Sequence, residues 1–299
     1  MPEGDTIWRT AAALRQRIGG KVVTTARPQA IARLTGRRLE SVEPTGKHLV
    51  MQFEGGLALH SHMRMTGAWH LYRTGERWRQ PERRATAVLS FDDVVAVCFA
   101  APVMELLVDA RRPVAHLGPD ILVDPFDLDE VVRRARESEA PTLGELLLEQ
   151  RICAGIGNIY KCEALWALRL DAWMRPAELD EDRLRRLYLT ARDLMRGNLV
   201  TPITRQRHAV HGRGGRPCPR CQGATPHPDP PPQGGRFSVA AVDGDRSAGD
   251  PRRRVAAEIG DDGRDLGRRH GLFHQLLGQC LPVCRRVDDR RHDGVDAHA

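Results

Sequence analysis

Apolar positions at the start of the chain recur at helical spacing. Ile7, Ala11, Leu14 and Ile18 share one face and Gly19-Gly20 follows, which predicts a leading helix. From Lys21 to about Phe99 the period shortens toward two, the repeat of half-buried strands. Lys21-Val22-Val23-Thr24 reads as one strand. His48 to Phe53 and Leu57 to His60 flank Glu54-Gly55-Gly56, a hairpin signal, and Ala87 to Phe91 and Val94 to Val97 flank Asp92-Asp93 in the same way. Short strands joined by tight turns predict a β-sandwich or small barrel. Beyond Pro125 the helical period returns over Leu128 to Arg136, Leu143 to Glu149, Asn158 to Leu168 and Asp182 to Met195. Turn residues from Gly118-Pro119-Asp120 to Pro125 mark the boundary between the two patterns.

Length and composition narrow this picture. The 299 residues suffice for two domains with separate cores. No apolar run approaches the roughly 20 residues of a membrane span, and the start lacks the apolar region of a secretory signal. A cytoplasmic, nucleoid-associated protein with no membrane partner is expected. Seven cysteines, an odd number irregularly spaced, argue against a disulfide framework. The net charge of +7 suggests a polyanionic partner. Residues 222–299 hold 12 arginines and 12 acidic residues, so the whole excess belongs to residues 1–221. Lys21, Lys47 and Lys161 are the only lysines, which draws attention to each.

Candidate chemistry begins at Pro2. Once Met1 is removed, Pro2 becomes a secondary amine that titrates near pH ~8 and can attack an aldehyde-like carbon. Glu3 stands beside it to pass a proton; otherwise the peptide only opens the helix. Lys47 follows a turn glycine and opens a strand, so its ammonium can project into a cleft. Gly155-Ile156-Gly157-Asn158 joins two helices. Free backbone N–H groups and the Asn158 amide can together hold a phosphate oxygen there, or the stretch is simply a capped turn. Arg64-Met65-Thr66 leads into Gly67 after a strand. Met65 is either a wedge for a gap in a base stack, helped by Arg64, or a core methionine. Cys218-Pro219-Arg220-Cys221 is half of a zinc ribbon, and the next cysteines, Cys280 and Cys284, are far from the usual spacing.

Taken in order, PEGD at 2–5, GKHL at 46–49, HMRMTG at 62–67, APVMELL at 101–107, HLGPD at 116–120, QRICAGIGNIYKCEALW at 150–166 and GRGGRPCPRC at 212–221 resemble the bacterial formamidopyrimidine-DNA glycosylase and endonuclease VIII family, more closely the endonuclease VIII branch. The likeness covers residues 2–221. It implies an α+β fold: an N-terminal catalytic β-sandwich with a leading helix (1–122), a helix–two-turn–helix DNA-binding domain (123–210), and the start of a C-terminal zinc finger (211–222). The implied activity is removal of oxidised bases, pyrimidines favoured, with strand nicking by β,δ-elimination through a Schiff base. The implied partner is damaged double-stranded DNA, bound by a monomer. By resemblance Pro2 is the nucleophile, Glu3 the acid/base, and Lys47 an aid to proton transfer. His62 and Asn158 would contact phosphates, and His116 falls where the branch has a DNA-contacting arginine. Zinc is the family's metal, with Cys218 and Cys221 as half of its ligands.

The chain also departs from the family. Asp5 and Thr6 stand where the branch usually has Pro-Glu, which removes a nearby carboxylate. The second CxxC and the arginine before it are not recognisable. Residues 223–299 read as an irregular tail, disordered or the product of a frameshift in an arginine-rich, GC-rich gene. An incomplete finger leaves an alternative, a lesion- or abasic-site-binding protein with impaired glycosylase activity. A proline-based tautomerase would use the same amine but needs no helical DNA-binding domain.

Overall fold

The computed structural model describes residues 2–201, 208–213, 216–220 and 222. The chain divides into two compact units, Met1–His211 and Gly212–Ala299. The tail at 223–299 lies outside the described residues, and so does Cys221.

Helix α1 (Gly4–Ile18) buries Ile7, Ala11, Leu14 and Ile18, the face that the spacing predicts. Its last turn carries Arg15 and Arg17, which suit the negative end of the helix dipole. Arg15 Nε also donates to the Val42 carbonyl at 2.6 Å, fixing the helix to the strand beneath it.

Eight strands follow: β1 (Thr25–Arg27), β2 (Leu39–Thr45), β3 (His48–Phe53), β4 (Leu57–His62), β5 (Ala68–Arg73), β6 (Ala85–Ser90), β7 (Val94–Phe99) and β8 (Val103–Leu107). They form two four-stranded sheets, in the orders β1-β6-β7-β5 and β2-β3-β4-β8, with every described pairing antiparallel. Leu49, Met51 and Phe53 of β3 and Leu57 and Leu59 of β4 pack with Leu89, Ala96 and Cys98 of the other sheet and with α1 in one core. Fully burying a side chain of this size contributes about 1.5–3 kcal/mol. Side chains alternate across a strand, so His48, His60 and His62 lie on the opposite face of β3 and β4.

The strand expected over Lys21–Thr24 does not form as such. This stretch crosses from one sheet to the other. Leu39 N–H donates to the Lys21 carbonyl and Val23 N–H to the Arg37 carbonyl at the edge of β2. Thr24 N–H then donates to Ser90 in β6, and regular pairing begins at Thr25.

Four more α-helices follow among the described residues: α2 (Leu128–Glu137), α3 (Leu143–Leu148), α4 (Asn158–Ala167) and α5 (Glu181–Val200). Three are capped by the residue that precedes them. The Asp127 carboxylate accepts from Glu130 N–H, the Thr142 hydroxyl from Glu145 N–H, and the Asp180 carboxylate from Arg183 N–H. The fourth, α4, begins after Gly157 and has no side-chain cap from it. Asp124 pairs with Arg192 and Arg196, and Asp129 with Arg185, joining the start of the helical part to α5. No helix among the described residues is long and apolar enough to cross a membrane.

Candidate active site

The missing cap of α4 is supplied from the other end of the sequence. Glu3 is fully buried. Its Oε1 accepts from Ile159 N–H at 2.7 Å, and its Oε2 accepts from Gly157 N–H at 2.9 Å and Tyr160 N–H at 3.3 Å. The neighbouring Gly4 N–H donates to the Gly155 carbonyl at 3.0 Å. The start peptide is thus held against the Gly155–Tyr160 turn, with half-buried Pro2 directly before the carboxylate. Gly157 is required here, because a Cβ at that position would lie 2.4 Å from Glu3 Cδ.

This arrangement corrects the expectation that the N–H groups opening α4 face outward to a phosphate. Gly157, Ile159 and Tyr160 spend theirs on Glu3. Asn158 itself is half-buried, and its Oδ1 accepts from Lys161 Nζ at 2.7 Å. An amide oxygen fixed in this way leaves the NH2 group as the end that can serve an anion. Lys161 is buried, and burial holds its ammonium down to about 8.

The loop before α4 is braced by Gln150. Its Nε2 donates to the carbonyls of Leu148 (2.8 Å) and Ile156 (3.0 Å), while its Oε1 accepts from Gly155 N–H at 3.1 Å. Asp120 then joins this loop to the β2–β3 turn. Ala154 N–H donates to the Pro119 carbonyl, and Ile121 N–H to the Ala154 carbonyl. The Asp120 carboxylate accepts from Gly46 N–H at 2.6 Å and Leu122 N–H at 2.8 Å. Gly46 has φ of 57° in this turn, and a Cβ there would come within 2.9 Å of Ala154 Cβ. Neither Gln150 nor Asp120 stood out as a site residue in the sequence, although both lie inside recognisable motifs.

Lys47 follows Gly46 and is half-buried. Burial lowers its ammonium pKa, and the charge of Glu3 opposes that shift. Burial likewise raises the Glu3 carboxyl, against the N–H bonds from α4 and the charge of Lys47. The two groups are therefore electrostatically coupled, each pushed toward its neutral form and each supporting the other's charge.

Thr6 leaves out the carboxylate that the branch has at that position, as expected from the Asp5-Thr6 pair, but Asp5 brings one of its own to Tyr160. Asp5 is buried, its Oδ2 accepts from the Tyr160 hydroxyl at 2.6 Å, and that hydroxyl accepts from Asn198 Nδ2 at 2.7 Å. Tyr160 thus serves Glu3 through its backbone and Asp5 through its side chain. The signal was present in the sequence as an acid at residue 5, but not its direction.

The predicted DNA contacts fall in two groups. Asn158 stands with Pro2 and Glu3 at α4. His62 ends β4, and its Nδ1 accepts from Arg64 N–H at 3.1 Å. The rings of His62 and His116 both meet His48 edge-on, at 4.6 and 6.1 Å between centroids. Arg64 adopts φ of 42°, an uncommon conformation for a non-glycine residue. Met65, at the tip of the same turn, is 54% exposed, so it is not a core methionine. Cys218 is buried in the second unit. Among the described residues no three His, Cys, Asp or Glu side chains come together as a metal site.

Comparison with known proteins agrees with this geometry. Residues 1–112 match the model of the formamidopyrimidine-DNA glycosylase N-terminal domain, and residues 117–206 that of the formamidopyrimidine-DNA glycosylase H2TH domain. A probable endonuclease 8 2 of Streptomyces coelicolor is 40% identical over 234 residues, covering 74% of this chain and 85% of that protein. The formamidopyrimidine-DNA glycosylase of Thermus thermophilus is 33% identical over 252 residues, covering 74% and 91%. The crystal structure of the MutM (Fpg) protein from Thermus thermophilus aligns with a TM-score of 0.62 at 29% identity, covering 75% of this chain and 92% of that one. With both halves of the first unit matched and a relative at this identity, the chain belongs to the formamidopyrimidine-DNA glycosylase and endonuclease VIII family.

Proposed function

We propose that the protein is a bifunctional DNA glycosylase and apurinic/apyrimidinic lyase of base excision repair, acting on damaged duplex DNA, with oxidised pyrimidines as the favoured bases. One observation carries this reading: a fully buried carboxyl, Glu3, is clamped by three N–H groups at the start of α4 beside Pro2 and is coupled to Lys47. The names of the relatives support it. One is a DNA-(apurinic or apyrimidinic site) lyase of Mycolicibacterium smegmatis, 33% identical over 238 residues.

Pro2, freed of Met1, supplies the nitrogen lone pair that bonds to the sugar C1′. The N-glycosidic pair leaves with the base, and an iminium remains on the opened sugar. Elimination from that iminium needs a group to take protons from the sugar carbons. Glu3, with its raised pKa, can hold a proton for the departing group and accept one afterwards. Lys47, with its lowered pKa, can share this traffic and meet the backbone as a cation. His62 and Asn158 would hold phosphates and His116 would contact the DNA, while exposed Met65, helped by Arg64, would fill the space left by a base turned out of the duplex. The described residues do not assemble the family's zinc site, and Cys221, the second cysteine of the CxxC, lies outside them.

Borohydride trapping on duplexes carrying an abasic site, an oxidised pyrimidine or 8-oxoguanine tests this. A covalent protein–DNA adduct is expected, absent in Pro2→Gly and when Met1 is retained. An adduct that survives Pro2→Gly would remove the proposed nucleophile. Tight lesion binding with no adduct on any duplex would leave a DNA-binding protein that does not cut.

A further inference from the structure

The face of β3 and β4 turned away from the core carries a histidine network of which the chemistry above uses only His62, with His116 beside it. His48 follows Lys47 at the head of β3 and stands opposite His62 in the register, while His60 stands opposite Glu105 of β8. The His48 and His60 rings stack at 5.1 Å, with His60 buried.

Hydrogen-bond logic fixes the tautomers along this row. An ionised carboxylate only accepts, so His60 Nδ1, 3.2 Å from Glu105 Oε2, must be the donor. Neutral His60 then has no hydrogen on Nε2. That nitrogen lies 2.9 Å from His48 Nδ1, so His48 donates there and its own Nε2 is the basic nitrogen. His62 is set the opposite way. Its Nδ1 accepts from Arg64 N–H, which puts the ring hydrogen on Nε2. A donor imidazole and a basic imidazole therefore stand edge to face 4.6 Å apart, with His116 6.1 Å away.

The surroundings keep His48 neutral in the free protein. Burial acts first, followed by His62 and His60 of β4, His116 of the 110–117 segment and Lys47 of its own turn, and together they push it down to about 3. The acid linked to it is Glu105, through His60. An arriving anion opposes the like-charge terms, because a nearby opposite charge favours the ionised imidazole.

We propose that His48, with His62 and His116, forms a subsite for a DNA phosphodiester that takes up one proton together with the phosphate. The proton resides on His48 Nε2, and its charge is stabilised through His60 by Glu105. One phosphodiester monoanion and one solvent proton enter, an imidazolium–phosphate pair forms, and no covalent bond changes. The subsite rests on the DNA-repair reading and adds His48, His60 and Glu105 to it, with His60 and Glu105 as positioning residues.

Calorimetric titration of the full chain with a duplex carrying a tetrahydrofuran abasic analogue tests it, run from pH 6 to 8 in buffers of different ionisation enthalpy. Proton uptake that grows toward one as pH falls is expected. Affinity should fall by up to about tenfold per pH unit as pH rises, the limiting slope for one linked proton. His48→Gln should abolish both the uptake and the slope, and Glu105→Gln should move the slope to lower pH. No uptake by the wild type, or uptake unchanged in His48→Gln, overturns the subsite. So does uptake lost in His62→Gln but kept in His48→Gln. Trapping on the same proteins separates the two proposals: proton-linked binding without an adduct keeps the subsite and overturns the lyase alone, whereas an adduct without linkage does the reverse.

Discussion

Three helices of this fold are capped by their own neighbours, and one is capped by a residue at the far end of the chain. Asp127, Thr142 and Asp180 each satisfy the helix that follows them. At α4 the preceding residue is Gly157, and Glu3 takes the position instead. A local cap stabilises a helix without constraining anything else. A distant cap makes the helix start, the start peptide and the turn between them into one object. The contrast separates the parts of the fold that only need to stand from the part to which the chemistry is proposed to belong.

Removing the distant cap should have the largest effect. Glu3→Ala leaves three N–H groups at α4 without their acceptor, and an unsatisfied buried donor costs about 1–3 kcal/mol. Even with water admitted, a net loss of about 3 kcal/mol would lower Tm by roughly 10 °C for a unit of this size. Differential scanning calorimetry should show this, and trapping should show at least about a hundredfold slower adduct formation, the usual scale of a lost acid/base group. A mutant with wild-type Tm would mean that the distant cap carries no weight.

The second effect is one of pH. The Glu3 pKa is raised in the folded protein, so the folded state binds its proton more tightly than the unfolded chain. That contribution is fully present below the ordinary glutamate pKa of about 4.5 and is lost as pH rises through the folded value. Relative to Glu3→Gln, which cannot titrate, the wild type should lose Tm as pH is raised from about 4.5 toward neutrality. Asp120 shifts in the same direction but is present in both proteins and cancels in the difference. Parallel Tm curves would remove the basis for treating Glu3 as a tuned acid.

Breaking a local cap should matter least. Asp180→Ala removes the acceptor for Arg183 N–H at the start of α5 and should cost about 1 kcal/mol, or roughly 3 °C. Adduct formation should be unchanged. A large loss of trapping in this variant would erase the distinction between the two kinds of helix start.

The sequence revealed what depends on short-range periodicity. The faces of α1, β3 and β4, the turn at Glu54-Gly55-Gly56 and the four later helices follow from spacing that a few neighbouring residues decide. The Lys21–Thr24 stretch misled because its β-like residues bridge two sheets instead of joining one. Strand β2 contains Pro44, tolerated because β2 is an edge strand, and so it escaped the same pattern. Pro2, Glu3, Lys47 and Asn158 were legible through the family's motifs. Their connections were not. No local rule predicts that Glu3 bonds to residues near 160, that Asp120 reaches the Gly46 turn, or that a carboxylate on β8 sets the tautomer of a histidine on β4.

The absence of a side chain at Gly157 carries a practical lesson for anyone engineering this enzyme. Even a methyl group there would evict the Glu3 side chain, so position 157 acts as a remote off-switch for the carboxyl at position 3. The proposed proton carrier and the keystone are the same group, and a dead variant at either residue says nothing about chemistry until its folding has been measured.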